Sequence, residues 1–245
     1  MPLIDYRKDT NSYANLYAEL NITGTIYLAF RDLPQILTKY VSGKRALDYG
    51  CGAGKPTMFL KSLGFDVIGV DTNPDMIKNA KNYDSNGKYY HIESAAIPLE
   101  KESLDLVFAS WVFMEVSNKD SLIKITQEIY RVLKEGGIFI TLVCNENAYN
   151  NDWLSSNTVF PENTDLKSGD IVKVHFKDID LTILDYFWNN EDYKEVFAKT
   201  GFKIIEEYSP LGLETDGYNW GLEKKLSPYT IYVLKRCKTD KIKER

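Results

Sequence analysis

Residues 46–54 read ALDYGCGAG, and residues 66–71 read DVIGVD. The first stretch joins a short apolar strand, Ala46-Leu47-Asp48, to a turn holding Gly50, Gly52 and Gly54. Such glycines let the backbone turn sharply and approach a ligand with no Cβ in the way. Residues 55–63 restart as a helix, with Pro56 near its first position, where a missing N–H costs nothing. Residues 66–71 are the next strand. Asn73-Pro74-Asp75 then carries an N-cap and first-turn signature, and Met76, Ile77 and Ala80 make the buried stripe of the following helix.

The alternation continues on both sides. Residues 88–93 (KYYHIE), 104–110 (LDLVFAS) and 138–144 (IFITLVC) read as three further strands. The last is nearly continuous in apolar residues, as a strand covered on both faces should be. Leu122, Ile125, Ile129 and Val132 mark a helix opened by Asp120 and ended by Gly136-Gly137. Upstream, Tyr13, Leu16, Tyr17 and Leu20 share one face of a leading helix, and a second helix follows Asp32 with Pro34 in its first turn. Residues 145–190 lose the pattern. They are polar and aromatic, with 171–176 alternating like an exposed strand, and they are too long for a plain connection, so they read as an inserted cap. Tyr193, Val196 and Phe197 then form a helical stripe closed by Gly201, and 202–208 and 229–236 are the last strands.

Strand–helix alternation of this kind builds a parallel sheet with right-handed crossovers. The expectation is one doubly wound α/β domain with a mostly parallel, seven-stranded sheet. Its parts are leading helices that could act as a lid (1–43), a cofactor-binding half (44–144), the cap after the fifth strand (145–190), a last helix and strands (191–236) and a basic tail (237–245).

In such a sheet ligands bind outside the carboxyl ends of the strands, where strand order reverses beside the first one. A dinucleotide fingerprint, G-x-G-x-x-G, counted from Gly50 requires glycine at position 55, where the chain has Lys55. The phosphate-binding pattern G-x-x-x-x-G-K-[ST] is also absent. Asp48, beside the turn, suits a ligand with a positive group better than a pyrophosphate. Asp71, ending the second strand, is placed to accept two hydrogen bonds from ribose hydroxyls. The net charge of −5 repels a polyanion and speaks against nucleic acid; only the C-terminal run from Lys235 to Arg245 is basic. No apolar run reaches membrane-spanning length, and the first 30 residues carry charges rather than a signal-peptide core. Three cysteines, no CxxC pair and two histidines speak against a zinc site and fit a reducing cytoplasm.

These residues resemble the class I S-adenosylmethionine-dependent methyltransferases, particularly their small-molecule branch. The resemblance covers residues 45–144 closely and 191–208 more loosely. ALDYGCGAG looks like the family's first motif, VIGVD its second, HIESAAIPLEKESLDLVFAS its third and fourth together, and RVLKEGGIFIT the helix and strand that follow. It implies the family's Rossmann-like fold and S-adenosyl-L-methionine as cofactor, with S-adenosyl-L-homocysteine as product. By position, Asp48 and the turn Gly50-Cys51-Gly52 through Gly54 would hold the methionine end. Asp71 would take the ribose, with Thr72 and Met76 beside the ribose and adenine. Glu93, Ser94 and Ala95 occupy the place where the family binds the adenine amino group, usually with Asp, so Glu93 is a departure. Ser110 and Trp111 would face the methionine moiety. The DPPY-like tetrapeptide of many amino-methylating nucleic-acid enzymes is absent, the chain reading Ser110-Trp111-Val112-Phe113.

Methyl transfer from a sulfonium is an in-line displacement that needs alignment and exclusion of water. A cation of this kind favours aromatic faces and nearby negative groups. Trp111, Phe113, Tyr149, Trp153, Tyr186, Trp188, Tyr218 and Trp220 all follow strands or sit in the cap, which points to a partly apolar or aromatic small-molecule acceptor. If the acceptor must lose a proton, Glu115 is the first candidate base and His175 the second. His91, within the third strand, reads as a packed, hydrogen-bonded core residue. No metal-ligand cluster stands out, which speaks against a magnesium-dependent catechol-type enzyme. Two other readings stay open: an RNA or protein methyltransferase, and a non-catalytic cofactor-binding or partner subunit.

Overall fold

The structure is a computed structural model that describes residues 10–238. Part of the expected lid (1–9) and most of the expected basic tail (239–245) lie outside the described residues.

Three short helices lead: α1 (Thr10–Tyr17), α2 (Gly24–Arg31) and α3 (Leu33–Tyr40). The alternating unit then runs β1 (Arg45–Tyr49), α4 (Lys55–Ser62), β2 (Asp66–Asp71), α5 (Pro74–Tyr83), β3 (Lys88–His91), β4 (Leu104–Ser110), α6 (Lys119–Val132) and β5 (Leu133–Cys144). A three-stranded unit follows, of β6 (Ser156–Asn157), β7 (Ile171–Phe176) and β8 (Leu181–Tyr186). The chain closes with α7 (Asn190–Lys199), β9 (Phe202–Tyr208) and β10 (Tyr229–Arg236).

The main sheet has seven strands in the order β3-β2-β1-β4-β5-β10-β9, and β10 runs antiparallel to both of its neighbours, β5 and β9. Strand order therefore reverses between β1 and β4, where a doubly wound sheet opens its crevice. Side-chain alternation divides the core. Val107, Ala109, Phe139 and Val143 join Leu122, Ile129 and Phe197 beneath α6 and α7, while Leu106, Phe108, Ile138 and Ile140 join Phe30, Leu33 and Leu60 beneath α2, α3 and α4.

Two sequence expectations are corrected. The α6 helix ends at Val132 rather than at Gly136-Gly137, because Leu133 already pairs with Leu104 and the strand begins there. His91 is exposed, because β3 is the sheet's edge strand; its Nε2 sits 3.1 Å from the Thr72 carbonyl oxygen.

The second sheet is the cap. Its antiparallel register pairs Val172 with Asp185, Val174 with Ile183 and Phe176 with Leu181, so these six side chains share one face. That face packs on Tyr13 and Ala14 of α1 and on Ala53 and Met76, over the carboxyl end of the main sheet. A buried polar knot ties the cap down from the other side. Thr25 and Ser155 exchange two hydrogen bonds of 3.0 Å, and Glu223 Oε1 accepts from Thr25 Oγ1 at 2.8 Å and from the Leu154 amide at 2.6 Å.

Candidate active site

At the switch point, a cleft of about 1120 Å³ lies among the carboxyl ends of β1, β2 and β4. Its floor is the glycine turn. Gly50 takes a left-handed φ of +72°, and a Cβ there would lie 2.2 Å from Val112 Cγ2. Gly52, also left-handed at +51°, faces open space, with only Met76 Sδ within 4 Å of a Cβ placed on it. The turn thus leaves room for a ligand at the one position where a side chain would intrude.

Asp71 organises this floor. Its Oδ2 accepts from the Gly52 amide and its Oδ1 from the Asn73 amide, both at 2.8 Å. Asn73 itself caps α5 through the amides of Asp75 and Met76. Desolvation raises the Asp71 pKa, and the backbone amides oppose that rise. Each carboxylate oxygen keeps a further lone pair for a hydroxyl on the cleft side. Met76, Ile92, Val112 and Ile125 supply apolar walls, and Tyr13, Tyr17, Tyr49 and Trp111 aromatic ones. Asp71 and Glu115 are the charged groups among the lining residues, so the cleft fits a cation carrying vicinal hydroxyls and repels a pyrophosphate. That donor set fits an adenosyl sulfonium.

A second space of about 620 Å³ lies beneath the cap and shares Tyr13, Tyr17, Trp111 and Glu115 with the cleft as a common wall. Tyr149, Trp153, Phe176, Ile183, Asp185 and Tyr229 complete much of its lining. Trp111 stands at the junction with φ +57°, unusual for a bulky residue, packed against Phe30 and Tyr229. Trp153 is anchored by its Nε1, which donates to the Ala148 carbonyl oxygen at 2.9 Å.

Two carboxyl groups face this chamber. Glu115 accepts a hydrogen bond from Tyr13 Oη at 3.2 Å. Crowded by protein yet exposed towards the cleft, it has its pKa raised to about 8 by desolvation first, then by Asp185 and Asp71. Asp185 is only 4% exposed, and desolvation alone raises its pKa to about 7.

Of the residues expected to bind a cofactor, Gly50, Gly52, Asp71, Thr72, Met76, Ser110 and Trp111 line the cleft. Asp48 does not. It is fully buried, its Oδ2 accepts from Thr57 Oγ1 at 2.6 Å and its Oδ1 has no partner, so it braces the first turn of α4. Desolvation, partly offset by that hydrogen bond, raises its pKa to about 7. Cys51 packs its thiol among Ile77, Ala80 and Tyr89. Gly54 serves helix packing, because a Cβ there would meet Tyr89 Oη at 3.0 Å and Ala80 Cβ at 3.2 Å. The cleft wall stops at Ile92; Glu93 and Ser94 are exposed and Ala95 half-buried, outside the lining.

Of the expected bases, Glu115 lines both spaces. His175 lines neither. Strand alternation turns it to the opposite face of the cap sheet from Val174 and Phe176, where its Nδ1 lies 3.1 Å from Thr182 Oγ1. Among the eight aromatics, Trp111, Tyr149 and Trp153 line the chamber. Phe113 and Trp188 are core residues under α6 and α7, Tyr186 sits on the other face of the cap, and the Tyr218 and Trp220 rings pack against each other at a tilt beside Tyr27. Asp185 was missed by sequence reasoning. Its signal is the alternation Leu181, Ile183, Asp185, an apolar stripe that ends in a carboxylate.

Residues 47–141 match the family model described as a methyltransferase domain. The chain is 34% identical over 103 residues to a malonyl-[acyl-carrier protein] O-methyltransferase of Enterobacter lignolyticus, covering 41% of this chain and 40% of that one. It is 38% identical over 114 residues to the mitochondrial ubiquinone biosynthesis O-methyltransferase of Rattus norvegicus, covering 43% of this chain and 32% of that one. The chain thus spans less than half the length of either relative. A similar fold occurs in a putative S-adenosylmethionine-dependent methyltransferase from Listeria monocytogenes, with a TM-score of 0.64 at 18% identity over 86% of this chain and 98% of the other. No helix among the described residues is long and apolar enough to cross a membrane.

Proposed function

Since this chain carries a methyltransferase domain over residues 47–141 on the class I methyltransferase fold, we propose that it is an S-adenosylmethionine-dependent methyltransferase acting on a small-molecule acceptor held in the chamber under the cap. The observation that carries this reading is the burial of that chamber's wall. Tyr13, Tyr149, Trp153, Asp185 and Tyr229 in its wall are each less than 10% exposed, so a nucleic-acid strand or folded protein does not reach them.

On this reading the cleft holds the cofactor. Asp71 accepts from its ribose hydroxyls, Thr72 lies beside them, Met76 and Ile92 flank the adenine, and the turn at Gly52 passes under the methionine end. When bound, the cofactor supplies an electrophilic methyl group on a positively charged sulfur. The chain's own contribution is position and environment. Trp111 separates the two spaces and fixes the direction of approach, and the cap with α1 excludes water. Glu115, at the common wall, places negative charge beside the cofactor cation and can hold a proton. Cys51 and His175 have no part in the step.

The test is to incubate the protein with methyl-labelled S-adenosylmethionine and, separately, a small-metabolite extract, total RNA and a protein extract. Label in the small-molecule fraction supports the proposal. Label confined to RNA or protein overturns it.

A further inference from the structure

The chamber contains a charge that nothing in the described residues answers. Asp185 is 4% exposed, sits on the cap face that forms the chamber wall and receives no hydrogen bond or ion pair among the described residues. Buried carboxylates are ordinarily paired or hydrogen-bonded, because desolvating an unpaired one is expensive. Here the neighbouring groups make matters worse. Glu115 lies within electrostatic reach, and no Lys, Arg or His is among the residues that line the chamber. Tyr17, Trp111, Tyr149 and Trp153 line the same space, among aliphatic residues such as Leu20, Ile26 and Val174. A buried carboxylate walled by aromatic rings is the environment that stabilises an organic cation.

The geometry points to a primary or secondary amine, entering as its ammonium ion, as the acceptor, with Asp185 as the group that selects it and takes its proton. This rests on the reading of the chamber as the acceptor site. The ammonium donates to the Asp185 carboxylate while its substituents pack on the rings. One N–H bond then breaks, the proton moves to an Asp185 oxygen, and the electron pair stays on nitrogen as the lone pair that an attack on carbon requires. Desolvation favours the neutral carboxyl, so the chamber draws the proton off more readily than water would. Glu115, held by Tyr13, stands beside it as a second negative group at the wall shared with the cleft.

The experiment is calorimetric titration at pH 7.5 of the full chain saturated with S-adenosylhomocysteine. The probes are phenethylamine, the isosteric phenethyl alcohol and the anionic hydrocinnamate, each measured in two buffers of different ionisation enthalpy. The expected result is an amine that binds about tenfold or more tighter than the alcohol, no binding of the anion, and a fractional proton release on amine binding, because Asp185 gives up the proton it partly holds in the empty chamber when it pairs with the ammonium. In Asp185→Asn the amine loses about tenfold or more and its proton release, while the alcohol and S-adenosylhomocysteine bind as before. The variant removes a buried unpaired charge, so its melting temperature is expected to hold or rise; a merely structural Asp185 would lower it and leave proton release in place. Alcohol bound as well as the amine, a preference that survives in Asp185→Asn, or no binding of the amine each overturns the inference. A wild-type chain that fails to bind S-adenosylhomocysteine fails at the cofactor reading instead, and the two failures are separate.

Discussion

Two carboxylates, the half-buried Asp71 and the buried Asp185, stand on opposite sides of one site and are built in opposite ways. Asp71 ends β2, and each of its oxygens is engaged by a backbone amide. Asp185 ends the apolar stripe of β8 with no partner among the described residues. The first is a structural joint that has lone pairs to spare; without a ligand it still holds the glycine turn to α5. The second does nothing for the fold and costs stability whenever it is charged. On the proposed reading, the contrast separates a cleft built for its cofactor from a chamber completed by its acceptor.

The largest effect that could break this contrast is on Asp71. Asp71→Ala removes two charge-assisted bonds within the floor together with the lone pairs offered to hydroxyls, and S-adenosylhomocysteine affinity should fall about 100-fold or more by calorimetry. Gly50→Ala comes next. Its Cβ collides with Val112 and its φ of +72° is strained for alanine, so unfolding stability should drop by about 2–4 kcal/mol. Adding Val112→Ala should return the packing part and leave the backbone part, which a denaturant series on the double variant resolves.

A pH series sharpens the comparison further. Asp185 and Asp48, with folded pKa values raised to about 7, keep protons that the unfolded chain has already released above pH 4. Folding stability should therefore fall as pH rises from about 4 to about 8, the reverse of a salt-bridged carboxylate. The groups around Asp185, namely Tyr13, Tyr17, Glu115, Cys144, Tyr149 and Tyr193, all have raised pKa values and stay neutral or compete for the same proton, so none compensates. Asp185→Asn should flatten part of the slope and stabilise the unliganded protein at pH 8 by about 2–4 kcal/mol. The smallest expected effect is His175→Gln, which should leave kcat/KM within about twofold because the ring faces away from both spaces.

What was legible in the sequence follows the same division. Strands β4, β9 and β10 and the Asn73 cap of α5 fall where periodicity and capping chemistry put them, because each signal is local. The tight turn at 50–54 was readable since glycine spacing records backbone conformation directly, and Gly50, Gly52 and Gly54 all take positive φ. The end of α6 was not, because pairing of Leu133 with Leu104 is a tertiary contact that overrides the Gly136-Gly137 stop signal. Helix α2 was overlooked because its eight residues, rich in aromatic and β-branched types, carry weak helical preference. Strand β8 escaped for a related reason: the turn before it, 177–180, uses Asp180 at φ +46° where a glycine or asparagine would have announced a hairpin. With β8 unread, the face of β7 could not be assigned, so the reading named His175 in the cap and passed over Asp185, which lines the chamber. The positions of Glu93 to Ala95 came from family spacing alone, and the chain's geometry brings Ile92 to the cleft instead.

The most direct measurement is a calorimetric titration with S-adenosylhomocysteine of three proteins in one buffer: wild type, Asp71→Ala and Asp185→Asn. A division of labour between cleft and chamber predicts a large loss in Asp71→Ala and an affinity within about twofold of wild type in Asp185→Asn. Equal weakening in both variants, or an unchanged affinity in Asp71→Ala, would contradict it.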